Sequence, residues 1–228
     1  MTPTLTLDPK TERIADAGAD TPHPPDRSGA PRGPGGDGWQ ASAADPPLRS
    51  SSLGMLLFLG ADVMFFAGLV GAFIVFRFGA VDWPPPGQPR LPVGITGLNT
   101  LILLSSGATM LSAWRRIRAG DRRGLMRALL WTASLGGAFL AVQGSEWLKL
   151  LAFGMTISSS VYGAIFYTLI GAHGLHVAAA VIWLLVVLGM AARGRFDRHS
   201  YAGVQLCAMY WALVVLLWPG LYGLVYLS

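Results

Sequence analysis

The stretch that decides the fold is LGMLLFLGADVMFFAGLVGAFIVFRF, residues Leu53–Phe78. It is longer than the roughly 20 apolar residues that a helix needs to cross the hydrocarbon core of a bilayer. Asp62 is the only acidic residue in this stretch. A carboxylate inside a membrane-spanning stretch is costly, so it usually faces another helix, a water-filled cavity or a proton path. The stretch therefore predicts a transmembrane helix whose single acidic residue either contacts another helix or has a functional role.

The composition extends this prediction to the rest of the chain. Of 228 residues, 53% are hydrophobic and 13% are charged, which is typical of a polytopic membrane protein and too apolar for a soluble domain. Four further apolar segments complete a predicted all-α bundle of five transmembrane helices: residues 97–114, 128–149, 158–192 and 202–227. We expect serines 158–160 to cap the fourth helix, with its apolar part beginning near Val161.

Small residues inside these segments predict where the helices meet. Gly68 and Gly71 share a face of the first segment, and Gly136 and Gly137 lie in the third. Because small residues let the backbones of membrane helices approach closely, we expect tight packing at all four. Cys207 is the single cysteine, so an internal disulfide and a cysteine-rich metal site are both excluded.

The first 50 residues have a different character from the rest. They hold nine of the 15 prolines, five Lys or Arg and seven Asp or Glu, and they contain no apolar run. This composition predicts a disordered cytoplasmic tail at residues 1–50 and no signal peptide. Residues 51–228 form the predicted five-helix transmembrane domain. The net charge of +5 arises in the loops of that domain, so topology explains it and a nucleic-acid partner is not expected.

Arginines set the predicted orientation. They cluster after the second segment, at residues 115–127, and after the fourth, at residues 193–198, and Arg49 precedes the first. The positive-inside rule then places the N-terminus inside and the C-terminus outside. The outer loop with Trp83 and the prolines 84–86 is predicted to lie on the membrane surface. Arg outnumbers Lys fifteen to two, which favours a GC-rich bacterial genome and hence a multi-pass protein of the bacterial plasma membrane.

The polar residues inside the segments form a predicted intramembrane polar centre: Asp62, Gln143, Glu146, His173 and His176. His173 and His176 are three residues apart and therefore share a helix face. We expect Asp62 to pair with one of these histidines and to hold the first helix against the fourth. Either a packing hydrogen bond from a protonated Asp62 or a role in proton transfer fits this position. Glu146 is either a lightly buried acid bonded to a neighbouring helix or a member of the same functional group.

The histidines allow two chemical interpretations. Imidazole is a common metal or haem ligand, but His173 and His176 could also be neutral and bonded to Asp62, Glu146 or a backbone carbonyl. A bis-histidine haem needs ligands on opposite faces of the iron, and the segments hold no third histidine. The sequence therefore predicts that this chain alone binds neither haem nor copper.

A series of short motifs resembles subunit III of the haem–copper oxidases, the cytochrome c and quinol oxidases. They occur in the family's order over residues 53–228: Asp62-Val63-Met64-Phe65-Phe66-Ala67-Gly68 with Ala72-Phe73, Trp83-Pro84-Pro85, Leu98-Asn99-Thr100 with Ser105-Ser106-Gly107, Gly120-Asp121-Arg122, Gln143 with Glu146, Ser160-Val161-Tyr162-Gly163 with Phe166-Tyr167, His173-Gly174-Leu175-His176-Val177, and Tyr210-Trp211 with Trp218. The resemblance implies a five-helix bacterial form that lacks the two N-terminal helices of the seven-span members.

The resemblance also implies a function. Such a subunit is non-catalytic and packs beside the catalytic subunit I and other oxidase subunits. Haem and copper belong to that partner, which couples oxygen reduction to proton pumping in aerobic electron transport. The family is expected to support assembly, stability and proton uptake and to bind phospholipid. Asp62 falls where the family has an intramembrane acid, usually Glu.

One departure from the family pattern leaves alternatives open. The family's last helix usually reads Tyr-Trp-His-Phe-Val-Asp, whereas this chain has Ala212 and Val215 in place of the His and Asp. A subunit III-like component of a nitric oxide reductase, or of another respiratory supercomplex, is therefore a second hypothesis. A stand-alone proton-coupled transporter that uses the polar centre as a relay is a third.

Overall fold

The computed structural model describes residues 47–81, 83, 92–158, 160–197 and 200–227. Those residues form five helices: α1 (Pro47–Gly79), α2 (Val93–Arg118), α3 (Arg122–Ala152), α4 (Val161–Ala192) and α5 (Ala202–Tyr226). Each has the length and the apolar content of a membrane-spanning helix. The predicted all-α bundle of five transmembrane helices is therefore confirmed.

Two predictions about the ends of segments can be compared with the structure. Ser160 is the N-cap of α4, and its Oγ accepts a hydrogen bond of 3.0 Å from the backbone N–H of Gly163. The cap predicted among the serines is thus confirmed. Helix α1 begins at Pro47, so the last four residues of the predicted tail belong to the helix. The rest of that tail and the prolines 84–86 lie outside the described residues.

The prediction that the arginines after the second segment lie in a loop is wrong. Arginines 115, 116 and 118 lie in the last turn of α2, and Arg122 begins α3, so only residues 119–121 connect the two helices. Arg is a good helix former, and its charge favours the C-terminal end of a helix. Its long side chain also reaches water from a helix end that enters the membrane interface. Gly120, at a φ of 80°, makes the reversal that a side chain would oppose.

The helices form a ring of four with one helix outside it. Helices α2, α3, α4 and α5 pack pairwise in that order, and α5 closes back on α2. Among the described helices, α1 packs only on α4 and α5. An ion pair of 3.9 Å between Arg122 and Asp197 joins the α2–α3 turn to the α4–α5 connection. These two connections, each flanked by arginines, therefore lie at the same end of the ring.

Two tryptophans of α5 fill the interior of the ring. Trp211 and Trp218 are completely buried. The indole N–H of Trp211 donates to Ser106 Oγ at 3.1 Å, and that of Trp218 donates to Thr100 Oγ1 at 2.9 Å. These bonds satisfy two polar groups that would be costly to leave unpaired in an apolar interior. They fix α5 against α2, and Cys207 is buried one turn before Trp211.

The expected close packing at glycine is correct at one position and wrong at three. A Cβ on Gly136 would meet the ring of Trp211, so this glycine makes room for the buried indole. At Gly68, Gly71 and Gly137, a Cβ would have no atom of a neighbouring helix within 4 Å. Helix α1 packs instead through aromatic rings, including Phe66 against His176 and Phe73 against Trp83.

Candidate functional site

Asp62 of α1 faces His176 of α4. The carboxyl Oδ1 lies 3.8 Å from Nε2 of His176, and the two side chains are 13% and 20% exposed, respectively. This separation is too long for a hydrogen bond and short enough for a strong electrostatic interaction. The other carboxyl oxygen, Oδ2, is shielded and has no hydrogen-bond partner among the described residues. Asp62 and His176 thus meet where α1 packs on α4, and the role of this pair in holding the two helices together stays a prediction.

The protonation of His176 is restricted by its second nitrogen. Nδ1 lies 2.7 Å from the backbone carbonyl oxygen of Ala172. Because a carbonyl oxygen only accepts, Nδ1 carries a proton in this contact. In the neutral imidazole, Nε2 therefore carries a lone pair and lies 3.8 Å from Oδ1 of Asp62, a distance at which charges interact but no hydrogen bond forms.

His173 has a different environment from His176. It is completely buried and stacks on Trp218, with ring centroids 4.9 Å apart and an angle of 24° between the rings. Phe66 and Phe139 contact its ring edge-on, at centroid distances of 6.4 and 6.3 Å. Neither ring nitrogen has a hydrogen-bond partner among the described residues. A charged imidazole would be very costly in such an aromatic cage, so His173 is held there in its neutral form.

Gln143 and Glu146 of α3 have partners of their own. Gln143 donates from Nε2 to the hydroxyl of Tyr226 at 3.2 Å, which joins α3 to α5. Glu146 Oε1 accepts a hydrogen bond of 2.7 Å from Lys149 Nζ. The Glu146 side chain is 8% exposed and that of Lys149 is 61% exposed. A buried carboxylate is thus neutralised by a lysine that extends towards the end of the helix.

The five predicted residues do not form one continuous network. Asp62 and His176 meet between α1 and α4, whereas Gln143 and Glu146 lie on α3, which does not pack on α1 in the described structure. No hydrogen bond or ion pair among the described residues links the two places. The geometry brings Asp62 and His176 within electrostatic contact and forms, separately, a polar contact between α3 and α5. The functional role of the five residues stays a prediction.

Comparison with known proteins gives a consistent result. The family model described as cytochrome c oxidase subunit III matches residues 43–228. Cytochrome c oxidase subunit 3 of Synechocystis sp. is 37% identical over 183 residues, which cover 80% of this chain and 76% of that protein. The chain belongs to the cytochrome c oxidase subunit III family.

Animal relatives of the subunit III family are nearly as similar. The subunit 3 of Strongylocentrotus purpuratus is 37% identical over 179 residues, covering 76% of this chain and 68% of the relative. That of Bos taurus is 34% identical over 179 residues, covering 76% and 67%. The resemblance found in the sequence motifs is confirmed, and the chain is a non-catalytic, multi-pass membrane subunit of an oxidase complex. The comparisons give no support to a nitric oxide reductase or a stand-alone transporter.

The donor set of this subunit III chain does not favour a metal centre. Within the described ranges, no group of three or more His, Cys, Asp or Glu side chains lies close enough together to hold an ion. His173 and His176 have different surroundings, since one is enclosed by aromatic rings and the other is bonded to Ala172 and faces Asp62.

Some residues that shape the subunit III interior were missed as site residues. Asn99 is buried and donates from Nδ2 to the backbone carbonyl of Phe139 at 3.2 Å. Its Oδ1 is shielded and unpaired within the described chain. A helical spacing of small polar residues along α2 was the available signal. The buried residues on that face are Thr96, Asn99, Thr100 and Ser106.

Proposed function

We propose that this subunit packs beside the catalytic subunit I of a bacterial terminal oxidase and sustains its assembly, stability and proton uptake. In this proposal, haem and copper reside in that partner, and membrane lipids also bind this chain. The five-helix transmembrane domain begins with α1 at Pro47, four residues before the predicted residue 51, and the segment that precedes it is cytoplasmic. The complex lies in the plasma membrane with the N-terminus of this subunit inside.

The observation that carries the proposal is the way in which α1 is attached. It packs on only two of the described helices, and most of its large apolar side chains point away from them, such as Leu57, Met64 and Val75 at 69–77% exposure. Asp62 and His176 lie where this loosely attached helix meets α4. An electrostatic contact at such a junction couples the attachment of α1 to the charges of Asp62 and His176. This fits a subunit that acts on a partner's proton uptake and not through chemistry of its own.

The orientation is supported by the placement of basic residues. The Arg122–Asp197 contact brings the α2–α3 turn and the α4–α5 connection to one end of the ring. That end carries the arginine clusters, whereas the opposite end carries Arg77 and Lys149 at the ends of α1 and α3. The positive-inside rule therefore favours the arginine-rich end as cytoplasmic.

A gentle detergent purification through a tag on this chain tests the assignment. The co-purifying proteins are identified, and a reduced-minus-oxidised spectrum is recorded. We expect a large haem- and copper-bearing subunit to co-purify and to give the spectrum. Recovery of a stable, colourless chain without such a partner would overturn the proposal.

Substitution of Asp62 tests the role of the pair. Asp62→Ala removes the group that faces His176, and interhelical polar contacts in membranes contribute about 1 kcal/mol. We expect about fivefold weaker attachment of α1, lower retention of the subunit and a shorter active lifetime during turnover.

Asp62→Asn is the matched control, because it keeps the size and polarity of the side chain and removes its ionisable group. It is expected to retain the subunit. A shorter active lifetime in Asp62→Asn with retention intact assigns the effect to the ionisable group and not to packing. Unchanged retention and unchanged lifetime in Asp62→Ala would count against the role of the pair.

A further inference from the structure

Asn99 and His173 have polar atoms in the interior that lack a partner. Asn99 donates from Nδ2 to the backbone carbonyl of Phe139, and because a carbonyl oxygen only accepts, Oδ1 of the amide points elsewhere. This Oδ1 and both imidazole nitrogens of His173 are shielded and have no hydrogen-bond partner among the described residues. A neutral imidazole has one N–H and one lone pair. One donor and two acceptors are therefore unpaired in an apolar interior, where each is costly.

The two side chains lie at one level of the ring, on helices α2 and α4, which face each other across it. Phe139 of α3 contacts both, since its carbonyl accepts from Asn99 and its aromatic ring meets the edge of His173. Trp218 of α5 stacks on His173, and its N–H donates to Thr100, the residue after Asn99. The unpaired atoms therefore belong to one layer of the interior.

The packing around His173 is loose at the edge of its imidazole. Phe66 and Phe139 meet it edge-on at centroid distances of 6.4 and 6.3 Å. Two neighbouring edge-on pairs are closer, at 5.0 Å for Phe66 with His176 and 5.1 Å for Phe139 with Trp218. Edge-on aromatic pairs are favourable over this whole range of distances. The longer distances therefore leave space beside the unpaired nitrogens.

Polar side chains of α3 connect this layer to one end of the ring. Gln143 lies one helical turn after Phe139 and donates to the hydroxyl of Tyr226. Glu146 follows three residues later and pairs with Lys149, whose side chain is 61% exposed. Residues three and four apart share a face of a helix. A hydrophilic route therefore leads from the exposed lysine to the layer of unpaired atoms.

The polar side chains towards the other end of the ring have partners within the chain. The indole N–H of Trp211 donates to Ser106 Oγ. The hydroxyls of Thr109 and Thr132 are 2.8 Å apart, and Thr132 also donates to a backbone carbonyl of its own helix. These four side chains need no further hydrogen bond. The interior therefore has one layer that requires an additional polar partner and one that does not.

We propose that the ring of helices binds water in the layer of Asn99 and His173. Water donates to Oδ1 of Asn99 and to the unprotonated nitrogen of His173, and it accepts from the protonated nitrogen. The two nitrogens of an imidazole point in different directions, so one molecule cannot serve both, and the site holds a small cluster. Buried water of this kind is a fixed part of a protein and makes about three hydrogen bonds per molecule. The site lies within this chain and needs no residue of a partner subunit.

X-ray radiolysis of the intact complex tests the proposal. A short synchrotron pulse splits water wherever it is bound, and the hydroxyl radicals oxidise the side chains beside it. The full chain, purified with its oxidase partners, is irradiated with a bulky radical scavenger that stays in bulk solution, and oxidised residues are mapped by mass spectrometry. We expect oxidation of Phe139, His173 and Trp218. Trp211 is the internal control and is expected to stay unmodified, because it is the same residue type on the same helix and is equally buried.

The source of the added oxygen separates bound water from brief opening of the ring. The complex is mixed rapidly with water labelled with heavy oxygen at increasing times before the pulse. Trp131 is 63% exposed and is expected to incorporate the heavy oxygen at once. Trp218 is expected to incorporate it with a delay, because bound water must first exchange with the bulk.

Three variants test whether the unpaired atoms hold the water. Asn99→Leu and His173→Leu replace them with apolar groups of similar size, and each is expected to lose the oxidation of Phe139 and Trp218. Thr132→Val is the matched control, because it removes an equally buried polar group whose hydrogen bonds are made within the chain. It is expected to keep the oxidation. If neither leucine variant assembles, the contrast between Trp218 and Trp211 in the unaltered chain decides.

Four outcomes would overturn the proposal. Absence of oxidation at Phe139, His173 and Trp218 would mean that the imidazole N–H faces an aromatic ring and that no water is bound. Equal oxidation of Trp211 and Trp218 would mean that radicals enter the whole interior. Heavy oxygen that reaches Trp218 as fast as Trp131 would indicate opening to bulk water. Unchanged oxidation in both leucine variants would mean that Asn99 and His173 do not hold the water.

Discussion

The α2–α5 contact and the α1–α4 contact illustrate two ways of joining membrane helices. The first is made inside the ring by two completely buried tryptophans, each hydrogen-bonded to a hydroxyl of α2. The second is made by aromatic rings and by Asp62 opposite His176 at 3.8 Å. The α2–α5 contact has well-paired polar groups, whereas the α1–α4 contact leaves Oδ2 of Asp62 without a described partner. We therefore expect the helices of the ring to stay together and α1 to separate from α4 more easily.

The contrast indicates where stability and function reside in the molecule. Lipid is as apolar as leucine, so burial alone does not drive membrane helices together, and close packing and hydrogen bonds decide. The ring has both: Trp211 packs closely against Gly136, and its indole N–H donates a hydrogen bond to Ser106. Helix α1 has open space at Gly68 and Gly71. Substitutions that affect one region and leave the other unchanged test this division.

The largest effect is expected from Gly136→Ala. Its new methyl group would overlap the buried ring of Trp211, and overpacking of this kind costs about 2 kcal/mol of unfolding free energy. The measurement is the unfolding free energy in mixed micelles titrated with a denaturing detergent. Gly137→Ala on the same helix and Gly68→Ala on α1 are controls with no atom nearby. Equal destabilisation by Gly68→Ala would remove the distinction between the two regions.

A smaller effect is expected from Ser106→Ala. It removes the acceptor of the Trp211 indole N–H and leaves that donor unpaired in the interior, at a cost of about 1 kcal/mol. Ser105→Ala is the neighbouring control, because the Ser105 hydroxyl is exposed and bonds only to the carbonyl of its own helix at Leu101. The same titration measures both. A loss as large in Ser105→Ala would mean that the tryptophan bond does not hold α5 to α2.

The smallest effect is expected at the α2–α3 turn, from Asp121. The pKa of its carboxyl is lowered from the usual 3.8, chiefly by the hydrogen bond from the Gly124 backbone N–H and then by Arg116. A lowered folded-state pKa means that the contribution is complete above the unfolded-state pKa and is lost as the pH falls through the folded-state pKa. We expect the unfolding free energy of the native chain to exceed that of Asp121→Asn at pH 7.

The difference between these two chains is expected to vanish below the folded-state pKa of Asp121. Asn is also a good N-cap, so the comparison isolates the charge that pairs with Arg116 at 2.8 Å. A difference that persists unchanged in acid would show that the charge contributes nothing. An effect larger than that of Ser106→Ala would place the stability of the ring at its surface and not in its interior.

The sequence predicted the helices well because their signal is local. Length and apolar content define five spans, and the serine cap of α4 follows from the requirements of unpaired N–H groups at a helix start. The prediction of a basic loop after the second segment was wrong because arginine is both polar and helix-forming. Polarity alone ended the second segment at residue 114, whereas α2 continues to Arg118. The choice between His173 and His176 stayed open because two residues on one face differ only by what packs against them.

The glycines show the limit of the same reasoning. Gly136 and Gly137 are adjacent and identical in the sequence, yet only Gly136 faces the buried Trp211. The rotation of α3 in the ring decides this, and that rotation depends on contacts far apart in sequence. The separation of Gln143 and Glu146 from Asp62 has the same cause, since the sequence does not give the order of helices around the ring.

The buried thiol of Cys207 can be used to measure how often the ring of helices opens. It is the only cysteine in the chain and is 2% exposed within the helix that carries both interior tryptophans. A small membrane-permeable alkylating reagent reaches the thiol only when α5 moves away from its neighbours. The rate of alkylation, followed by mass, therefore measures how often the native ring opens, with no engineered label and no denaturant.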